Sequence, residues 1–206
     1  MRAWAVLAAV SGFFGLVFAL RSWLHRRATG HSGVVAHSAA RWTPAWWAAI
    51  LLTVGACLAF GAPLLAAAGV GAFWWPASRT TDLAGAALMV AGALGTWWSQ
   101  SAMGASWRVG VREGERTRLV TGGPFRWVRN PIFSFVLVSS CGLLLVLPHP
   151  AAVASLALMW IGIELQVRAV EEAHLRNVHG ESYLAYCRQV GRFVPGLGRM
   201  RATVRD

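Results

Sequence analysis

An all-α, polytopic membrane helix bundle is the fold class this sequence predicts, and three observations carry it. Hydrophobic residues make up 56% of the 206-residue chain and charged residues only 13%, too apolar a balance for a soluble domain of this size. The apolar residues gather in about five long runs, separated by stretches rich in arginine, tryptophan, glycine and proline. No strand followed by G-x-G-x-x-G occurs, so the sheet of soluble nucleotide-binding domains is not expected. One membrane domain over residues 1–206 follows. Residues 1–80 form an N-terminal two-span part, 81–198 a core, and 199–206 a basic tail.

The first run, Ala3 to Leu20, is uncharged and long enough to cross a bilayer. Its heavy positive charge, in Arg21, Arg26 and Arg27, follows the run instead of preceding it, unlike a signal peptide, so a retained first helix is expected. The linker histidines His25, His31 and His37 lack tight metal-ligand spacing and are expected to be solvated. Pro44 to Leu65 forms the second span, with Gly61 and Pro63 bending or ending it. Trp74, Trp75, Pro76 and Arg79 carry the aromatic signature of a membrane interface. Leu83 to Met103 is the third span, and Trp97-Trp98 with Ser99-Gln100-Ser101 mark its approach to the other interface. Ile132 to Leu147 and Ala151 to Arg168, joined through Pro148-His149-Pro150, make an antiparallel hairpin of spans four and five. Cys57, Cys141 and Cys187 have neither disulfide nor zinc spacing, and no metal is expected.

All 19 basic residues are arginine, and the net charge is +11. Apolar spans separate these arginines, so they form no single stripe for nucleic acid. The anionic lipid surface is the expected partner. With the N-terminus outside, only Arg2 and Arg79 face outward and every other arginine faces the cytoplasm. The chain is thus expected in the cell (inner) membrane with a cytoplasmic C-terminus.

Two constellations fall on that cytoplasmic face. The stretch Thr121-Gly122-Gly123-Pro124-Phe125-Arg126-Trp127-Val128-Arg129-Asn130-Pro131-Ile132-Phe133 cannot be a plain helix, because two glycines and two prolines interrupt it. Irregular backbone beside a bilayer must be buried in protein or line a polar cavity. The second constellation starts at Glu164, an ionisable group within a span. At α-helical spacing Glu164, Arg168 and Glu171 share one face, with Glu172 flanking it.

The segment Leu119 to Phe133 resembles the signature of the isoprenylcysteine carboxyl methyltransferase and phospholipid methyltransferase superfamily. So do Glu171-Glu172-Ala173-His174-Leu175, then His179-Gly180-Glu181-Ser182-Tyr183-Leu184-Ala185-Tyr186, then Arg192-Phe193-Val194-Pro195. The resemblance covers residues 100–198, about half of the chain, and implies S-adenosyl-L-methionine-dependent methyl transfer at the membrane face. A lipophilic acceptor would enter sideways from the bilayer. By position, Leu119, Val120, Gly123 and Phe125 would lie against the cofactor. Arg129, Asn130 and Phe133 would wall the sulfonium, Glu171 and Glu172 would hold polar parts of the cofactor, and Arg168 would sit near the acceptor group.

The eukaryotic carboxyl methyltransferases of that superfamily carry histidine and tyrosine where this chain has Asn130 and Phe133. Asparagine is no general base near neutral pH, and phenylalanine has no hydroxyl. Methyl transfer from a sulfonium needs mainly positioning and desolvation. A carboxylate acceptor would need only a cation such as Arg168 or Arg129, whereas an amine must lose a proton, with Glu164 or Glu171 as first candidates. The alternatives are an NADPH-dependent membrane reductase of the sterol reductase type and a non-catalytic accessory protein. The acidic pair Glu171-Glu172 would repel a phosphate-rich cofactor, and an accessory protein would bind neither cofactor.

Overall fold

The computed structural model describes residues 2–33, 40–76, 78–108 and 118–200. Helix α1 (Arg2–Thr29) opens the chain and contains a π-helical segment at Gly15–Leu20. Then come α2 (Pro44–Ala67), α3 (Arg79–Met103) and α4 (Pro131–Val146). Helix α5 (Pro150–His179) has a second π segment at Gln166–Glu171, and the short α6 (Glu181–Gln189) follows it. No strand occurs among the described residues; a lone parallel bridge joins Val128 and Gly191. The protein is all-α and multi-pass. Helices α1, α2 and α5 are long and apolar enough to cross a membrane, and α4 is apolar over 16 residues.

Contacts fix the topology as up-and-down. Arg2 pairs with Asp82 at one end of α1 and α3, and Arg21 reaches Gln100 and Gly104 at the other, so these helices run parallel. Ser155 donates to the Gly55 carbonyl at 2.7 Å, and Gly162 lies against Leu51 and Leu52, so α5 runs antiparallel to α2. Around the bundle, α1 packs on α2, α2 on α5, α5 on α4 and α4 on α3, while the π segment of α1 meets α3. Val6, Val10, Ala59, Ala62, Met89, Leu143, Leu147 and Ala152 form the apolar core toward one end. Val136, Leu137, Ile163 and Val167 form a second cluster toward the other.

The α3–α4 seam is the tightest. A Cβ on Gly92 would come within 2.7 Å of the Phe135 carbonyl oxygen, and one on Gly142 within 2.5 Å of the Gly85 carbonyl oxygen. Between apolar helices in lipid, close backbone approach supplies the dispersion contacts that water-driven burial cannot.

Three expectations need correction. The first helix runs on through its arginines to Thr29, where Gly30 (φ 81°) ends it in the left-handed conformation. Arg21 does not stop it, because its guanidinium folds back onto the Gln100 and Gly104 carbonyls (3.1 and 3.2 Å) and over the Trp107 ring (5.0 Å). His25 is not a solvated loop residue: it is buried on α1, edge-on to Trp107 with centroids 5.3 Å apart. His31 is exposed, and His37 lies outside the described residues. Pro63 does not end the second span either; it sits buried inside α2, which continues to Ala67.

Candidate active site

At the end of the bundle where α4 starts, the Gly-Pro stretch folds as a short 3-10 turn over Gly123–Arg126. Gly123 has φ 58°, and a Cβ there would meet the Ala102 Cβ at 3.3 Å, so a side chain is opposed by conformation and by space. The chain then runs alongside the C-terminal segment. The Arg129 N–H donates to the Gly191 carbonyl at 2.8 Å and the Asn130 N–H to the Arg192 carbonyl at 3.1 Å. The Asn130 side-chain amide donates to that same Arg192 carbonyl, and Ser134 donates to the Phe193 carbonyl at 2.7 Å. A Cβ on Gly191 would collide with the Val194 carbonyl oxygen, which makes glycine obligatory where these strips meet. Tyr186 on α6 donates its hydroxyl to the Phe125 carbonyl. Burial pushes the Tyr186 phenol above its ordinary range, so it remains a neutral donor.

Beneath this clasp lies a buried ionic knot centred on Glu172. Its carboxylate accepts from Arg129 at 3.0 Å, from Arg192 at 2.7 and 3.1 Å, and from Arg176 at 3.3 Å. The side chains of Arg129 and Glu172 are 1% and 2% exposed, so the pair is desolvated on both sides. Arg129 also donates to the carbonyls of Cys187, Val190 and Gly198. A buried charge is tolerable only with this degree of pairing. Hydrogen bonding to Glu172 raises the Arg192 pKa, while burial pushes the Cys187 thiol up and keeps it un-ionised.

The acidic ladder does not keep its α-helical register. Glu164 pairs with Arg168, at i,i+4. Glu171, however, accepts from Gln166 at 3.4 Å, five residues earlier, because the Gln166–Glu171 segment is π-helical. Arg168 is 58% exposed on the bundle surface. Glu171 is half-buried, and the Arg108 guanidinium is near enough to act on its charge.

Arg129, Asn130, Phe125 and Glu172 are thus brought together by direct contacts with the C-terminal segment or with one another. Phe133 packs instead on the Val136–Ile163–Val167 cluster, and the Glu164–Arg168 pair stands outside the knot. Leu119 and Val120 are half-buried, with Thr121 exposed beside them. Among the described residues, the backbone groups of these three make no hydrogen bond. No group of histidine, cysteine and acidic side chains among the described residues could hold a metal ion. Sequence reasoning missed Arg192, Tyr186 and Gly191. The motif Arg192-Phe193-Val194-Pro195 marked the region, but only tertiary pairing reveals what it clasps.

Comparison with known proteins gives this arrangement a class. A solved structure of a eukaryotic intramembrane Ras methyltransferase, an isoprenylcysteine carboxyl methyltransferase, superposes with a TM-score of 0.59 at 18% identity. The match covers 94% of this chain and 68% of that one, and at this identity it speaks for the fold. No curated protein matches the chain. Residues 80–182 match the phospholipid methyltransferase family, and that span takes in α3, the Gly-Pro stretch, α4 and all of α5. Fold and match together define a multi-pass membrane methyltransferase. The chain belongs to the phospholipid methyltransferase family.

Proposed function

We propose that the chain transfers the methyl group of S-adenosyl-L-methionine to a lipophilic acceptor that reaches the site sideways from the bilayer, at the cytoplasmic face of the cell membrane. The observation that best supports this is the Glu172 knot. It holds the Gly-Pro turn, the N-terminus of α4 and the C-terminal segment as one body, beside a half-buried Glu171.

The residues present suit that cofactor. Leu119, Val120 and Thr121, whose backbone groups make no hydrogen bond among the described residues, form an irregular strip, the kind of surface an adenosyl group can hydrogen-bond. Gly123, whose added Cβ would press on Ala102, keeps the turn close to α3, and Phe125 lies buried beside it. Asn130 spends its amide N–H on Arg192, which leaves its side-chain oxygen to face a positive centre. Glu171 is suited to ribose hydroxyls or an ammonium group. When bound, the cofactor supplies an electrophilic methyl on a good leaving group, so the chain's own task is orientation and exclusion of water.

Glu172 and Arg129 act in this reading as positioning residues. Arg168, exposed on the bundle surface and paired with Glu164, orients the polar end of the acceptor. The acidic Glu171 disfavours the phosphates of NADPH at the same place.

Incubation of detergent-purified protein with labelled S-adenosyl-L-methionine and total membrane lipid should yield a labelled lipophilic product. Thermal shift should respond to S-adenosylhomocysteine and not to NADPH; the reverse response would replace this reading with a reductase. Orientation is tested in a chain whose three cysteines are replaced by alanine. A cysteine at Ser32 should react only from the cytoplasm and one at Ser78 only from outside.

A further inference from the structure

The C-terminal segment that clasps the Gly-Pro turn does not stand above the bundle; it runs down beside it. The Phe193 carbonyl accepts from Ser134, in the first turn of α4, and the Phe193 ring packs on the cluster of Val136, Leu137, Ile163 and Val167. That ring also lies against Trp160, with centroids 6.1 Å apart. Trp160 sits inside the apolar run of α5, roughly two turns or about 12 Å before Arg168. Phe193 is therefore anchored level with apolar side chains of both helices. Val194 follows one Cα step away, about 3.8 Å, and the Leu197 N–H donates back to its carbonyl at 3.1 Å. The tip of the loop, Val194 to Leu197, thus stays close to that level.

The backbone of the loop suits a medium without water. The Arg192 carbonyl accepts from both N–H groups of Asn130, and the Phe193 carbonyl from Ser134 at 2.7 Å. The Val194 carbonyl accepts from Leu197, and the Leu197 carbonyl from the Arg192 N–H at 2.8 Å. Pro195 has no N–H to place. Gly196 and Gly198, at φ 78° and 72°, let the chain double back tightly enough for these bonds. Irregular backbone at the edge of a bilayer is stable when its polar groups are satisfied in this way.

The side chains of the tip face outward. Val194 is 50% exposed and Leu197 65%, with Pro195 exposed between them. Trp160, in ring contact with Phe193, is exposed on the neighbouring surface of α5, a helix long and apolar enough to cross a membrane. The apolar tip therefore continues a lipid-facing surface. Arg199, exposed just beyond it, sets a cation where anionic headgroups lie. A loop facing water has no need of saturated carbonyls beneath an apolar tip.

We propose that Val194 to Leu197 form an apolar knuckle inserted at the headgroup–acyl boundary of the adjoining leaflet. Through Arg192, which donates to Glu172, the knuckle ties the ionic knot to the bilayer surface. This contact is independent of methyl transfer.

The test uses the full chain with its three cysteines replaced by alanine, reconstituted in vesicles of dioleoyl phosphatidylcholine and dioleoyl phosphatidylglycerol. Leu197→Cys and, separately, Arg188→Cys on the exposed side of α6 each carry a nitrobenzoxadiazole label. The label at 197 should emit at shorter wavelength, be quenched by lipids brominated on their acyl chains, and be shielded from aqueous iodide. The label at 188 should show the opposite pattern. Val194→Cys repeats the measurement at a second tip position, so the result does not hang on one variant folding. Adding Leu197→Asp to the Val194→Cys chain should leave its melting temperature in detergent almost unmoved and make its label accessible to iodide. Iodide quenching at 194 and 197 equal to that at 188 would place the loop in water and overturn the proposal. Shielding of the tip from both quenchers would mean that protein covers it, and would overturn the proposal equally.

Discussion

Glu171 and Glu172 are adjacent in sequence, yet their surroundings differ sharply. Glu172 is buried and accepts from three arginines. Glu171 is half-buried and, among the described residues, accepts from one glutamine at 3.4 Å. One carboxylate is saturated with donors; the other retains acceptor capacity. Chemically identical groups, one helical step apart, are thus divided by burial and by the π segment that ends between them. A saturated carboxylate neutralises its neighbours, whereas an unsaturated one can serve a ligand.

Removing the saturated carboxylate should have the largest effect. Glu172→Ala leaves the Arg129 charge buried and unpaired and should cost about 3–5 kcal/mol of stability. Thermal unfolding in detergent measures this, and Glu171→Ala should unfold near wild type. Equal destabilisation by the two substitutions would erase the contrast. The second prediction reverses the readout. Glu171→Gln should weaken S-adenosylhomocysteine binding by about 1.5–3 kcal/mol, roughly tenfold to over a hundredfold, with the melting temperature almost unmoved. Calorimetric titration decides it, and an unchanged affinity would make Glu171 another element of a charge ladder.

Two smaller effects sharpen the comparison. Arg168→Lys keeps the charge but loses the fork, and should lower turnover with the acceptor about fivefold, or ~1 kcal/mol, while cofactor affinity holds. Equal losses in turnover and affinity would move Arg168 to the cofactor side. Tyr186→Phe deletes only the hydroxyl that reaches the Phe125 carbonyl, and should cost about 0.5–1 kcal/mol of stability. A larger loss would mean that α6 clasps the turn more firmly than one hydrogen bond accounts for.

The helices could be read from the sequence because an apolar run must satisfy its backbone internally in lipid, and composition records that constraint directly. Span boundaries were less legible where a charge found a partner. Arg21 looked like the edge of the membrane, but carbonyls on α3 and the Trp107 ring hold it inside a continuing helix. His25 looked solvated because nothing in its neighbourhood names Trp107, which lies more than eighty residues away in the chain. The Gly-Pro stretch and the acidic pair stood out by residue type. Their division of labour did not, since i,i+3 and i,i+4 counting assumes an α-helix and fails across Gln166–Glu171. The glycine seam of α3 was likewise invisible as a seam, because its meaning depends on Phe135, Ser139 and Gly142 facing it.

The clasp between residues 128–130 and 190–193 has a consequence for biogenesis. Arg129 is synthesised about sixty residues before Cys187 and Val190, whose carbonyls, with that of Gly198, receive its side chain. Glu172 leaves the ribosome first, so the guanidinium meets its ionic partner before it meets those carbonyls. The Gly-Pro turn therefore reaches its final shape only after α5 has been inserted and the chain has returned to the same side. A chain truncated before Cys187 would keep its long helices but leave the Arg129 guanidinium without those three carbonyls.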